Sequence, residues 1–420
     1  MDGMGMGLRA VNWELTKNSP DCEGVNCHQL GETSMVIDSM TRRKKTLSAV
    51  ALPGLLILGL SACGGGDGEG IVDTLVVEPT PDVEESQCTI NIDEILGAGV
   101  GWDQIPSLTN PKFVSAGHAE ASYLMPLDRV IGFLVGERVL AIPHNILWWH
   151  EVINLNLPEG EFLVTYCPLT GSAMAFDRSP AGGVDFGVSG LLFRNNLIMF
   201  DRVDPPTVWP QMMGTGVCGP KKGTVLPRLT VTEMTWRAWQ DRYPDTEVVS
   251  SETGWPRDYT VYPYGDYEDL DNPPFLPVDF DHSRQPKERV VGIEGRGDGF
   301  LAVPLLELDQ LGTRAVLNTG VDGEPFLVVW DRQDQSAVTF SRIPETPEGV
   351  PGETLTFGVV AGKIFDNETG SEWTLTGRAV AGELTGSVLP GHPEAMIAFW
   401  FAWSAFHPET TVWTACCGTR

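Results

Sequence analysis

The sequence lacks the short motifs that mark most catalytic and metal sites. Its eight cysteines include no Cys-x-x-Cys pair, which excludes a zinc ribbon and a thioredoxin-type dithiol. There is no glycine-rich phosphate loop followed by Lys-Ser/Thr, no serine nucleophile elbow and no His-Glu-x-x-His zinc helix. Basic residues are scarce, with 28 Lys and Arg against 56 Asp and Glu, and the net charge of −28 disfavours nucleic acid as a partner.

The N-terminal region has the pattern of a bacterial lipoprotein signal peptide. A basic stretch (residues 40–45) precedes an apolar run (residues 47–60) that is too short for a transmembrane span and contains Pro53. The string Leu-Ser-Ala-Cys ending at Cys63 resembles the lipobox, in which the cysteine is acylated. We therefore predict a protein of the cell envelope, extracytoplasmic and held to the membrane by its N-terminal lipid.

An internal repeat organises the rest of the chain. Residues 162–178 (FLVTYCPLTGSAMAFDR) align without a gap with residues 326–342 (FLVVWDRQDQSAVTFSR). Other shared positions keep the same order, among them Gly132 with Gly292 and Trp239 with Trp403. The predicted organisation is a doubtful N-terminal extension (1–39), a signal peptide (40–62), a flexible tether (63–95), copy one (96–250), an acidic proline-rich linker (251–288), a degenerate copy two (289–413) and a tail (414–420).

Short β-branched and aromatic runs bounded by Gly, Pro or Asp predict an α+β fold. It is mostly antiparallel β, with two tandem diverged copies of one domain and one helix near the C-terminal end of each. Residues 162–178 are predicted to form a hairpin whose turn leaves Cys167 at a strand end, near a rim. The first predicted helix ends at Arg242 and is capped by Thr230 or Thr232, and its counterpart spans residues 395–406. Residues 144–154 are ambiguous; as a helix they would turn His150 to the core.

The differences between the copies point to a site in copy one. Copy one contains His144, Trp148, Trp149, His150 and Glu151 where copy two reads LLELDQLGTRAVL. Copy one also has Cys167 where copy two has Asp331. Shared residues are expected to serve packing, so any ligand site is expected in the first copy.

Long strings of the chain resemble the DUF3179 family of bacterial secreted and lipid-anchored proteins. They include WHEVIN, VTYCPLTGSAMAFDR, FGVSGLLFRNNLIMFDR and FWFAWSAFHPET, and the resemblance covers residues 100–413. It implies no particular chemistry. Many relatives have Cys-Pro-Leu-Cys-Gly at the hairpin turn, whereas Thr170 here replaces the second cysteine and leaves Cys167 alone.

Three interpretations of the candidate residues stay open at this point. Cys167, His150, Met199 and His144 could bind a soft transition metal such as copper. Alternatively, Cys167 could be a nucleophile that His150 and Glu151 activate, as in thiol hydrolases and transferases, with turn amides near Gly171 stabilising an oxyanion. In the third interpretation, which we favour, these residues are structural and the protein is a binding or scaffold module. Its tryptophans Trp148 and Trp149 would then line a groove for a sugar or a peptide, and the protein or small-molecule partner stays unknown.

Overall fold

The computed structural model describes residues 88–416 and 418–419. The predicted N-terminal extension, the signal peptide, Cys63 and most of the tether lie outside the described residues. The last part of the predicted tether does belong to the folded body. A disulfide joins Cys88 to Cys218 across a sequence separation of 130 residues.

The first half of the described chain contains fourteen strands and two α-helices. They are β1 (Ile95–Gly97), β2 (Leu108–Thr109), β3 (Phe113–Ser115), β4 (Arg129–Val135), β5 (Arg138–Pro143), α1 (His144–His150), β6 (Val152–Leu157), β7 (Gly160–Cys167), β8 (Ser172–Asp177), β9 (Phe186–Phe193), β10 (Asn196–Asp201), β11 (Val208–Pro210), β12 (Arg228–Leu229), β13 (Thr232–Thr235), α2 (Trp236–Arg242) and β14 (Glu247–Val249).

The second half contains twelve strands and two α-helices. They are β15 (Arg289–Glu294), β16 (Phe300–Pro304), α3 (Leu305–Leu311), β17 (Arg314–Val321), β18 (Glu324–Asp331), β19 (Ser336–Ser341), β20 (Phe357–Val360), β21 (Lys363–Asp366), β22 (Glu372–Trp373), β23 (Ala379–Ala381), β24 (Ala395–Phe399), α4 (Trp400–Phe406), β25 (Thr411–Thr414) and β26 (Gly418–Thr419). Strands dominate and most pairs are antiparallel, so the predicted α+β class is confirmed.

The two halves repeat the same strand pairings. In the first half a sheet has the order β13-β4-β5-β14-β3, and in the second the order is β24-β15-β16-β25-β26. The first two pairs in each order are antiparallel and the third is parallel. A second sheet contains β6, β7 and β8 in the first half, and its counterpart is β17-β18-β19. This recurrence supports the duplication, which stays a prediction from the sequence.

The helices differ in part from the sequence-based prediction. Helix α2 begins later than expected, because Thr232 lies in β13 and Thr235 is the cap, with its hydroxyl accepting from the N–H of Ala238. Residues 395–399 are strand β24, so α4 is shorter than predicted. Each half also has a second helix. Helix α1 directly follows β5 and α3 directly follows β16, and both of these strands end in proline. Seven-residue helices carry too few turns for their period to stand out in sequence.

Shared glycines and tryptophans pack against each other. A β-carbon on Gly132 would lie 2.1 Å from the ring of Trp239, and one on Gly292 would lie 2.1 Å from the ring of Trp403. Real β-carbons do not approach atoms so closely, so each ring lies on its sheet only because a glycine is beneath it. These shared residues are therefore explained by packing, as the repeat comparison predicts.

Each half places its hairpin turn against the other half. The N–H of Phe399, at the start of α4, donates to the carbonyl of Thr170 over 2.8 Å. In the reciprocal contact the N–H of Thr235, at the start of α2, donates to the carbonyl of Asp334 over 2.9 Å. The core around Cys167 consequently includes residues of both halves.

Candidate functional site

Cys167 is the last residue of β7, as the hairpin pattern predicts, but it does not lie near a rim. Its side chain is fully buried, in a core shared with Met199 and Phe399. The N–H of Leu197 approaches its Sγ to 3.4 Å. Burial, reinforced by the Glu151 carboxylate, raises the pKa of the thiol to about 11. Cys167 is therefore a neutral thiol at physiological pH.

The ladder beside Cys167 is shorter than its counterpart in the second half. Strand β6 begins at Val152, opposite Thr165, and so stops before it reaches Cys167. The counterpart of β6, strand β17, is longer at this end and does reach Asp331, the residue that aligns with Cys167. It begins at Arg314, which pairs with Asp331 and forms a 2.7 Å salt bridge with it. Arg314 therefore covers one side of Asp331 in the second half, whereas strand β6 leaves the same side of Cys167 uncovered in the first half.

Glu151 closes α1 in an unfavourable backbone conformation. Its φ is 56° and its side chain is buried. The residue at the corresponding end of α3 is Gly312, whose φ is 137°. Glycine adopts positive φ without a steric penalty, whereas glutamate adopts it at a cost. Burial raises the pKa of the Glu151 carboxyl to about 8, and the Tyr264 hydroxyl lies 3.5 Å from its Oε1.

His150 faces the core, as a helical interpretation of residues 144–154 predicts, but it does not pair with Cys167. Its Nδ1 lies 2.7 Å from the carbonyl oxygen of Pro106, and its Nε2 lies 2.7 Å from the hydroxyl of Tyr259. Both ring nitrogens are thus already engaged. Burial lowers the pKa of the ring to about 4, so it is neutral. The predicted His150–Cys167 pair is corrected accordingly.

The other predicted metal ligands are also divided. His144 Nε2 lies 3.0 Å from Glu233, and its ring packs on Tyr166 at 4.2 Å between centroids. Met199 lies in the same apolar core as Cys167. Across residues 88–416 and 418–419, no group of three His, Cys, Asp or Glu side chains could hold a metal ion. The structure therefore does not assemble the predicted ligand set.

The turn amides proposed for an oxyanion are occupied as well. The N–H groups of Thr170 and Gly171 both donate to the Cys167 carbonyl, over 3.3 and 2.8 Å. They close the turn and are not directed at a substrate. Any stabilisation of negative charge beside the thiol must therefore come from another group.

Trp148 and Trp149 are half-buried, and residues of the predicted linker contact both. The ring of Trp148 meets Tyr262 edge-on at 4.9 Å between centroids, and the guanidinium of Arg257 lies 5.5 Å from the Trp149 ring. Both covering residues belong to the predicted linker. This segment therefore covers part of both tryptophans, and a groove for a ligand beside them stays a prediction.

The predicted linker, residues 251–288, is a packed cover and not merely a solvated connection. Tyr259 in it is buried, and the Tyr267 hydroxyl donates to the carbonyl of Leu169 in the hairpin turn over 2.9 Å. Asn195 and Leu276 exchange two hydrogen bonds of 2.8 and 2.6 Å. The segment therefore closes the flank of Cys167 that β6 leaves uncovered.

Lys287, at the end of this segment, is the least expected residue of the site. It is only 1% exposed, and its Nζ lies 3.4, 4.5 and 5.3 Å from the ring centroids of Tyr267, Phe401 and Phe399. Within the described part of the chain its Nζ has no hydrogen-bond partner. Desolvation lowers the pKa of the amine to about 7, partly opposed by electrostatic interaction with Glu268 and, to a smaller extent, with Cys167.

Three positions at which the halves differ meet here. Cys167 aligns with Asp331 of the second half, and Glu151 at the end of α1 corresponds to Gly312 at the end of α3. Lys287 in the string Pro-Lys-Glu-Arg-Val aligns with Leu127 in the string Pro-Leu-Asp-Arg-Val of the first half. The side of the first half is open at this position, because Leu127 is 45% exposed. Electrostatic coupling links the thiol to Glu151 and to Lys287. We call Cys167, Glu151, Lys287 and the two tyrosines that cover them, Tyr264 and Tyr267, the thiol cluster.

Lys287 and the two tyrosines were not predicted as site residues, because the acidic, proline-rich composition of their segment is typical of a linker. Two signals were available in the sequence. Four of the seven tyrosines of the chain fall within residues 259–267, which is unusual for a solvated connection. The repeat alignment, extended a few residues ahead of Arg289, also places a lysine where the first half has a leucine.

Comparison with known proteins identifies the family but not the chemistry. No helix in the described part of the chain is long and apolar enough to cross a membrane. No curated protein and no solved structure matches this chain. The model of the family described as "Protein of unknown function (DUF3179)" matches residues 102–410, which include both halves and the whole thiol cluster. The chain therefore belongs to the DUF3179 family.

Proposed function

We propose that this protein is a lipid-anchored binding module of the cell envelope and that the thiol cluster is its ligand site. The single observation that carries the proposal is the convergence of Cys167, Glu151 and Lys287, which differ from their counterparts in the other half. A buried acid, a buried amine and a strained backbone in one place are typical of functional sites and costly in a core that serves packing alone.

The location outside the cytoplasm is part of this proposal. It is supported by the lipobox-like string that ends at Cys63 and by the disulfide between Cys88 and Cys218. Disulfides of this kind form and persist in oxidising compartments. The anchor would leave the folded body, from Cys88 onward, free to meet a ligand near the membrane surface.

A ligand site closed by a cover must open more easily than the protein unfolds. We therefore expect iodoacetamide to reach Cys167 through a local opening of residues 255–287, which costs less free energy than global unfolding and depends weakly on urea. The alkylation rate of the peptide that carries Cys167 is followed by mass spectrometry at increasing urea concentrations. An opening free energy of about 2–4 kcal/mol, against about 5–15 kcal/mol for unfolding, is the expected result.

A cysteine in an ordinary core provides the matched control. Val329 is 1% exposed in β18 of the second half, and cysteine is close to valine in size, so Val329→Cys reports how a packed strand becomes accessible. If Cys167 reacts with the same opening free energy and the same urea dependence as the cysteine at position 329, it is a core residue and the proposal fails.

A thiol hydrolase or transferase is the second candidate, and the nearness of the Glu151 carboxyl, a possible base, to the Cys167 thiol favours it. The ionised form of Glu151, which is the minor form below its pKa of about 8, would accept the thiol proton while sulfur attacks an acyl carbonyl carbon. The C–S bond forms, the bond to the leaving group breaks, and the leaving group receives the proton. Water then cleaves the thioester, with Glu151 again as the base.

This candidate is tested with p-nitrophenyl acetate. A burst of nitrophenol and one acetyl group on the Cys167 peptide are expected in the wild type, and neither is expected in Cys167→Ala. Glu151→Gln, which keeps the size of the side chain, should slow the burst without preventing alkylation of the opened site. Nitrophenol release that is unchanged in Cys167→Ala would exclude the thiol mechanism.

A further inference from the structure

Lys287 brings to the thiol cluster a buried amine that no acidic side chain of the described residues contacts by a hydrogen bond. Its Nζ is enclosed by the rings of Tyr267, Phe399 and Phe401 and lacks a hydrogen-bond partner among the described residues. The nearby acid Glu268 is engaged with Arg289 at 2.8 Å. A buried ammonium group without an anion is costly, so an anion that enters the site would find an unpaired partner.

The other ionisable groups of the cluster do not supply that anion. The pKa of the Cys167 thiol is raised to about 11 and that of the Glu151 carboxyl to about 8, so both are predominantly neutral at pH 7. The Tyr264 and Tyr267 hydroxyls are neutral as well, because burial raises the pKa of both. With a pKa of about 7, the amine is therefore the group of the cluster that is charged to the greatest extent near pH 7.

The surroundings of the amine favour one class of anion. Phosphate groups are usually bound by several donors at once, such as arginine forks or successive backbone N–H groups. Here a single point charge is surrounded by aromatic rings, which offer an apolar surface to the body of an organic molecule. One charge and an apolar wall match a monoanion that has a small organic part.

We propose that the ligand of the thiol cluster is a small organic carboxylate whose carboxylate group pairs with Lys287. This inference rests on the proposed function and adds the ligand class to it. It also makes the second half necessary to the site, because Lys287 lies two residues before the start of β15 and the rings of Phe399 and Phe401 flank the start of α4. The first half alone would hold the thiol and Glu151 without the amine.

The probes are sodium acetate and propionate, with acetamide as the neutral analogue of acetate, at ionic strength held constant with sodium chloride. We expect acetate and propionate to raise the Tm of the full chain in a saturable manner and acetamide to leave it unchanged. Lys287→Met, which is close to lysine in length, should weaken acetate binding by about 10- to 100-fold, the usual effect of losing a charged hydrogen bond. Equal effects of acetate and acetamide, or acetate binding retained in Lys287→Met, would overturn the inference.

Two further measurements test the ligand class and do not depend on the folding of Lys287→Met. Inorganic phosphate should bind more weakly than acetate, and tighter binding of phosphate would overturn the carboxylate class. If Lys287→Met does not fold, wild-type protein still decides the question, because bound acetate should slow the alkylation of Cys167 and acetamide should not. Local opening of Cys167 without an acetate effect would refute this inference and leave the proposed function standing, whereas alkylation only through global unfolding would refute the proposed function itself.

Discussion

Replacing Lys287 by methionine should stabilise the protein, although it removes a residue that the account places in the ligand site. Burial lowers the pKa of the amine from 10.5 to about 7, and a fall of this size corresponds to about 4–5 kcal/mol of unfavourable free energy in the folded state below pH 7. Contact of the ammonium group with three aromatic rings offsets about 2 kcal/mol. Methionine fills the same space without charge, so we expect the free energy of unfolding at pH 7 to rise by about 2 kcal/mol.

The sign of the pH dependence follows from the direction of the pKa change. The folded-state pKa is lower than the unfolded-state value, so between about pH 7 and pH 10.5 the unfolded chain binds a proton that the folded protein does not. Wild-type stability therefore gains from deprotonation as the pH rises through this window. The advantage of the methionine variant is full below pH 7 and disappears as the pH approaches 10.5.

Urea unfolding of both proteins at a series of pH values measures the difference. Other groups titrate in the same range, but they do so in both proteins and cancel in the comparison. Lys363→Met is the control, since Lys363 is 59% exposed at the side chain and its loss should change stability by about 0.5 kcal/mol or less. A Lys287→Met variant that is less stable than the wild type at pH 7, or a difference that does not shrink with rising pH, would refute the account of an unpaired buried amine.

Three other predictions concern the backbone, the packing and the anchor. Glu151→Gly should raise the free energy of unfolding by about 1 kcal/mol, because glycine accepts the φ of 56° without strain; lower stability in urea would contradict this. Gly132→Ala should lower stability by about 2–4 kcal/mol, since its β-carbon would overlap the Trp239 ring, whereas Gly117→Ala, with open space around it, should change it little. Cys63→Ala should move the protein from the detergent phase to the aqueous phase in detergent partitioning, and unchanged partitioning would argue against acylation.

The sequence was sufficient for the fold class and for the elements with strong local signals. The hairpin around Cys167 combines alternating apolar residues with a Pro-to-Gly turn, and strands β7 and β8 lie where it predicts them. The tryptophans of α2 and their proline stop also placed the end of that helix correctly. The starts of α2 and α4 were missed because β-branched and aromatic strand residues run directly into each helix without a break in composition.

The candidate site was predictable only in part. Cys167 and Glu151 were found by asking which residues the repeat does not share, and they do lie in one cluster. His150 was grouped with them because copy two lacks it as well, but at the end of α1 its ring contacts the carbonyl of Pro106 and the hydroxyl of Tyr259. Neighbours in sequence at a helix end point in different directions, so adjacency in the chain does not place His150 beside Cys167.

Lys287 could not be assigned from local sequence, because its role depends on contact between the halves. Composition made residues 251–288 look like a solvated connection, with acidic residues and prolines throughout. The short strand β6 leaves a flank of the first half open, and this segment fills it with Tyr264 and Tyr267. The burial of the lysine is a consequence of that tertiary arrangement.

The most direct test of the central claim is the urea dependence of Cys167 alkylation in the otherwise native protein. If the thiol belongs to a site beneath a movable cover, its reaction should be nearly independent of urea well below the unfolding transition. A rate that follows the global unfolding curve throughout would show that Cys167 is an ordinary core residue, and the ligand site proposed around it would not exist.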